Sequence, residues 1–239
     1  MKTQLKKTLN PMAFMLLAAL TYTSCDSQQR VCPGSETRAY NESGFTRVDA
    51  GENFKVTIRQ DDAFSIQAEG CTNDLDDLVF DVDGDELTIR YRRWDKNRHL
   101  VELDIAMPQL KGFSFSGAAK ATVMSFDDTP FIDAELSGAS EATFNGQMEQ
   151  IDIEMSGAAD FELGGTAAKL DANISGSSRL RAYPCQVQAA DIDASGGSKA
   201  WITVDDFLKA DISGGSRIYY RGNPGTDIHE SGGGKAVRE

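Results

Sequence analysis

The chain of 239 residues carries 37 acidic and 24 basic side chains, a net charge of −13, and is 40% hydrophobic. An acidic excess of this size excludes general affinity for nucleic acid or for an anionic membrane surface, since both need a cationic footprint. Four cysteines and two histidines without paired spacing exclude the common zinc patterns.

In chain order, the first segment predicts secretion. Lys2, Lys6 and Lys7 precede an apolar run from Pro11 to Leu20, and small residues follow it. The run is too short for a transmembrane helix, which needs about 20 apolar residues. Thr23-Ser24-Cys25-Asp26-Ser27 resembles a lipoprotein box, whose cysteine is acylated and becomes the first residue of the mature chain. Tyr22 departs from that pattern, which commonly has leucine there, and simple secretion is the alternative. Residues 1–24 are therefore expected to be a signal peptide, Cys25 the lipidation site, and 25–43 a polar tether. The expected location is the outer membrane, through the lipid anchor. Asp26-Ser27-Gln28-Gln29 is not acidic enough to say which side it faces. Removing 1–24 takes away three lysines and no acids, so the remainder is more acidic still. Cys32, Cys71 and Cys185 would enter a compartment that permits disulfides. A Cys32–Cys71 bridge and free or buried thiols both remain open.

Residues 44–110 read as strands: Phe54–Ile58, Phe64–Ala68, Val79–Val82 and Glu86–Tyr91 alternate or cluster apolar side chains. Asp81-Val82-Asp83-Gly84-Asp85-Glu86 begins like a calcium loop but lacks the later bidentate glutamate, so a hairpin turn is expected. This part is either an irregular β cap or a first set of coils.

From residue 111 one phrase recurs: an apolar residue, Ser-Gly, and two small residues. Its serines are Ser116, Ser137, Ser156, Ser175, Ser195, Ser213 and Ser231, at intervals of 18 to 21 residues. Before each serine apolar residues take every second place, as in Leu170-Ala172-Ile174, Ala190-Ile192-Ala194 and Leu208-Ala210-Ile212. After the turn a second alternation begins, with Ala142 and Phe144, Phe161 and Leu163, Leu180 and Ala182, and Ile218 and Tyr220 expected inward. A unit this short cannot bury its own apolar face, so the units must stack. The expected fold is all-β: a parallel β-solenoid, regular over 111–225, with a terminal coil or cap at 226–239.

Strands ending in Ser-Gly-small-small, the entry Ala106-Met107-Pro108-Gln109-Leu110 and the exit Tyr220-Arg221-Gly222-Asn223-Pro224 resemble the auto-transporter adhesin head GIN domain family over residues 44–225. That resemblance implies a β-solenoid in an exported protein and an adhesive role. It brings no catalytic motif.

Two outward faces carry chemistry. Four places before the serines stand Asp133, Asp152, Asp171, Asp191 and then Lys209; two places before stand Glu135, Glu154, Asn173, Asp193 and Asp211. The face is either a calcium site or, as the preferred reading, a hydrated face that keeps the solenoid soluble. On the second strand Arg179, Arg181, Lys199, Trp201, Arg217, Tyr219 and Arg221 set cations beside aromatic rings, which suits sugars or anionic polymers; the preferred reading is an ordinary mixed surface or a contact with the cap or another subunit. The glycine clusters recur with the coils and are turns, and His99 and His229 have no serine or metal partner in spacing. The function read from this is a non-catalytic envelope binding module for glycans or envelope proteins, with no cofactor. A polysaccharide-active β-helix enzyme and a self-assembling spacer are the alternatives.

Overall fold

The computed structural model describes residues 31–239 apart from 96, 125, 127 and 128. The predicted signal peptide, Cys25 and the start of the expected tether lie outside the described residues. The elements are β1 (Ser35–Tyr40), β2 (Arg47–Ala50), β3 (Phe54–Gln60), β4 (Ser65–Cys71), α1 (Thr72–Leu75), β5 (Leu78–Asp83) and β6 (Glu86–Tyr91). They continue with β7 (Val101–Met107), β8 (Gly112–Phe115), β9 (Lys120–Val123), β10 (Phe131–Leu136), β11 (Glu141–Met155) and β12 (Asp160–Ile174). Last come β13 (Arg179–Ala194), β14 (Lys199–Ile212), β15 (Arg217–Arg221), β16 (Gly225–Glu230) and β17 (Lys235–Arg238).

Two parallel ladders form the body. The leading ladder, which precedes each Ser-Gly turn, runs β6, β2, β8, β10, the second halves of β11 to β14, and β16. The trailing ladder runs β7, β3, β9, the first halves of β11 to β14, β15 and β17. The fold is the parallel β-solenoid that the alternation predicts, and 226–239 is a terminal coil.

Glycine makes the turns stackable. Gly176 lies at φ +69, and a Cβ there would sit 2.4 Å from the Gly157 carbonyl oxygen. That closeness lets Ser177 N–H donate to Gly157 O at 2.7 Å, and Gly197 N–H to Gly176 O at 2.7 Å, so the hydrogen-bond ladder runs on through the turns. The last place of the phrase points inward, where Ala119, Ser140, Ala159, Ser178, Ser198 and Ser216 are all fully buried.

Residues 44–110 supply both coils and a cap, in an order the repeats do not announce. The coil β2–β3 lies between β6–β7 and β8–β9, so the chain starts one coil in, moves outward, and returns past itself. Its turn reads Ala50-Gly51-Glu52-Asn53, with Glu52 in the place that Gly117 takes one coil on. Glu52 has φ 59, a left-handed conformation that costs a side chain about 1–2 kcal/mol. Glu52→Gly is therefore expected to stabilise the fold by about 0.5–1 kcal/mol, a gain trimmed by glycine's greater freedom when unfolded. A higher urea midpoint at unchanged slope would show it.

Beyond β6–β7 the parallel ladders stop. β5 pairs antiparallel with β6, β4 with β7, and β1 with β4, and the expected turn at Gly84 joins β5 to β6 as a hairpin. The reading of 25–43 as a tether is therefore corrected from Ser35 onward. Ser35–Tyr40 is an edge strand, and polar edge strands carry no apolar alternation by which to recognise them. Cys32 and Cys71 form a disulfide, which staples this strand to the end of β4. In the chain-entropy picture a loop of that length is worth about 4 kcal/mol. Cys185 is free and buried in the core.

Inside, large and small residues exchange places from coil to coil. Leu170, Ala190 and Leu208 stack in one column, and Ala172, Ile192 and Ala210 in the next. All are buried, which is how neighbouring layers fill a narrow interior. The expected inward residues of the second strand are buried too, except Tyr220, which packs half-exposed against the core.

Candidate functional site

The leading ladder carries the acidic face in the register read from the sequence. Asp133, Asp152, Asp171, Asp191 and Lys209 stand side by side, as do Glu135, Glu154, Asn173, Asp193 and Asp211. The aspartates of the first column already have partners. Arg47 Nη2 donates to Asp133 at 2.6 Å, Gln150 Nε2 to Asp152 at 2.7 Å, Lys169 Nζ to Asp171, and Lys209 Nζ to Asp191 at 2.9 Å. Calcium takes six to eight converging oxygens, whereas these carboxylates form a line and spend lone pairs on neighbours. The geometry favours the hydrated face.

A groove of about 790 Å³ runs beside the second column, floored by the serines of the turns. Burial pushes the Glu135 carboxyl up, and the charges of Asp133 and Glu154 push it further. An acid whose pKa is raised by folding loses stability as pH rises from its unfolded to its folded pKa. Glu135→Gln should therefore match the parent below about pH 4 and exceed it at pH 7. For an exposed group, solvent screening limits the gain to about 0.3 kcal/mol. Melting temperatures across that range measure it.

On the trailing ladder the predicted cations and rings fall into two columns. Arg179, Lys199 and Arg217 occupy one, continued by Lys235; Arg181, Trp201 and Tyr219 occupy the other. The Trp201 and Tyr219 rings stack with centroids 5.6 Å apart and planes 10° apart. Arg181 pairs with Asp160, whose other oxygen lies 3.9 Å from Arg179. Arg221 stands farther along, its guanidinium 3.8 Å from the centre of the Tyr183 ring.

Beside Trp201 opens a cleft of about 370 Å³, lined by Glu162, Arg181, Tyr183, Pro184 and Trp201. Tyr183 donates its hydroxyl to Glu239 Oε2 at 2.7 Å. Burial, and then that hydrogen bond, push the Tyr183 phenol up to about 12. The sequence reading missed Glu162, Tyr183, Pro184 and Lys235. Tyr183 and Pro184 sit where the pairing of β13 with β14 shifts register between Ala182 and Gln186, so alternation assigns them no face. The one available signal is a Tyr-Pro pair in the return between strands.

Other groupings are structural. Cys71, Asp74 and His99 come together, but Cys71 is in the disulfide, and Asp74 accepts hydrogen bonds from Arg98 and from the His99 backbone. His229 stands 3.8 Å from Asp211 and 3.7 Å from Asp227, at the surface.

Comparison with known proteins adds the following. A family model described as "Putative auto-transporter adhesin, head GIN domain" matches residues 44–224. No curated protein matches the chain. Among solved structures, a putative adhesin from Bacteroides fragilis is similar at 20% identity and a TM-score of 0.72, covering 86% of this chain and 95% of its own. A protein from Parabacteroides distasonis described as a putative lipid binding protein is similar at 18% identity and a TM-score of 0.68, covering 87% and 97%. A putative adhesin from Parabacteroides merdae is similar at 18% identity and 0.65, with the same coverage. At these identities the likeness is one of fold.

Proposed function

The chain belongs to the auto-transporter adhesin, head GIN domain family, and from that premise we propose that it is a non-catalytic binding module of the cell envelope whose β13–β15 face takes glycans. A lipid on Cys25 holds it to the outer membrane; the charged start, short apolar run and Thr23-Ser24-Cys25 support that anchor. The observation that carries the binding reading is the cleft in which Trp201, backed by Tyr219, and Tyr183 line a pocket shared with Arg181 and Glu162. Apolar ring faces beside a few fixed polar groups are what a sugar-sized ligand needs.

The same lining argues against hydrolysis. Cleaving a glycosidic bond ordinarily takes two carboxylates flanking it, about 5–9.5 Å apart. Glu162 is the one carboxylate lining the cleft among the described residues.

A glycan array probed with the wild type and with Trp201→Ala tests the proposal. Loss of the platform is expected to weaken binding at least about fivefold, since stacking on an aromatic face is worth about 1–3 kcal/mol. Binding unchanged in the variant sinks the assignment to this face.

A further inference from the structure

We infer that the glycan is anionic and lies along the solenoid axis, its acid groups running past Lys199 and Arg217 while a ring occupies the cleft at Trp201. The inference rests on the proposed reading of this face and adds the ligand's charge and direction.

The column itself supplies the contrast. On the first coils it neutralises itself: Lys55 pairs with Glu102 at 2.9 Å and Lys120 with Glu141 at 2.9 Å. Asp160 next faces Arg179 and Arg181. From there the column holds no further acid. Arg179, Lys199, Arg217 and Lys235 follow in adjacent strands with no acid between them. Lys235 turns to Glu230 at 2.7 Å, while Lys199 and Arg217 form no ion pair among the described residues.

Adjacent strands lie about 4.8 Å apart, and like charges set opposite each other at that distance repel. A chain of net charge −13 has acids to spare for this column and uses them on its first coils, not here. The repulsion is relieved when an external anion joins the column. The neighbouring column on the same coils is Arg181, Trp201 and Tyr219, so cations and ring faces run side by side along the axis. A polymer with one ring and one acid group per residue, of about the coil spacing, matches both columns at once.

The test uses the full chain and three probes: polygalacturonate, which carries carboxylates; dextran sulfate, which carries sulfates; and neutral galactan. Affinity electrophoresis at low and at 0.5 M NaCl is expected to show at least tenfold tighter binding to one or both anionic polymers, with the excess lost at high salt. The better of the two identifies the acid group. Lys199→Gln with Arg217→Gln should abolish the preference and keep the neutral binding. Trp201→Ala should weaken both, and the exposed Lys111→Gln should change nothing. Equal binding of galactan and both anionic polymers overturns the inference and leaves the glycan reading standing. Binding to none of the three overturns both.

Discussion

Arg98→Ala is expected to destabilise the protein by about 3–5 kcal/mol, because it removes the shared cation of two buried carboxylates. The Arg98 side chain is 6% exposed, against 1% for Asp74 and 4% for Asp77. Its Nη1 lies 3.2 Å from Asp74 Oδ1, its Nη2 pairs with Asp77, and its guanidinium lies 3.7 Å from the centre of the Tyr91 ring. Burial pushes the Asp77 carboxyl up, but hydrogen bonds from Arg98 and Arg93 outweigh it and hold it below its ordinary value. A carboxyl depressed in this way contributes stability above its unfolded pKa and loses it as pH falls through the folded one. The gap between wild type and variant should therefore be full at pH 7 and narrow below about pH 4. Adding Asp74→Asn and Asp77→Asn to Arg98→Met should recover part of the loss, since a neutral, filled site costs less than an unpaired charge. Urea unfolding at pH 7 and pH 4 measures both. An equal loss at the two pH values would assign the effect to packing on Tyr91 instead.

The network shows what was legible in the sequence and what was not. Where a coil repeats, both of its faces can be read from one line of text, because strand side chains alternate and stacked coils share a register. The column neighbours of Asp152 and the stacking of Trp201 on Tyr219 follow from that rule. Arg98 joins β6 to β7 in a connection with no periodicity, and it meets α1 only because β4 and β5 fold back as a cap. Nothing local marks it. The inserted order of β2–β3 is hidden for a related reason: Ala50-Gly51-Glu52 performs the Ser-Gly turn without its residues. At the candidate site, the two columns were legible and the cleft was not. Tyr183 and Pro184 sit at a register shift, and alternation is silent there.

The acidic face and the basic column are complementary uses of one architecture. A parallel solenoid brings equivalent residues of successive coils to about 4.8 Å, so a charge that repeats in the sequence becomes a line of charge in space. On the leading ladder Arg47, Lys169 and Lys209 offset that line. On the trailing ladder Lys199 and Arg217 leave it open. The difference lies in which positions of the repeat were filled, and not in the backbone, which is the same in both.

Ile192→Ala is expected to cost toward the upper end of about 2–5 kcal/mol, the span measured for such truncations in packed cores. The inward triplet of its leading strand would then hold only alanines, with Ala190 and Ala194 flanking the truncated position. The same column holds Ala172 on one side and Ala210 on the other. Ile192 is fully buried, and neither neighbouring layer has a large side chain in that column to lean into the space. Hydrogen bonds to both adjacent strands hold the backbone in place, so the cavity cannot close by collapse. Ile192→Val should cost only about 0.5–1.5 kcal/mol, because one methylene is lost and the branch that fills the column stays. Ala172→Val added to Ile192→Ala should recover part of the loss by refilling the column from the next coil. Denaturant melting of the three variants checks the exchange of large and small residues directly. A loss near zero for Ile192→Ala would mean that the layers are not in register as described.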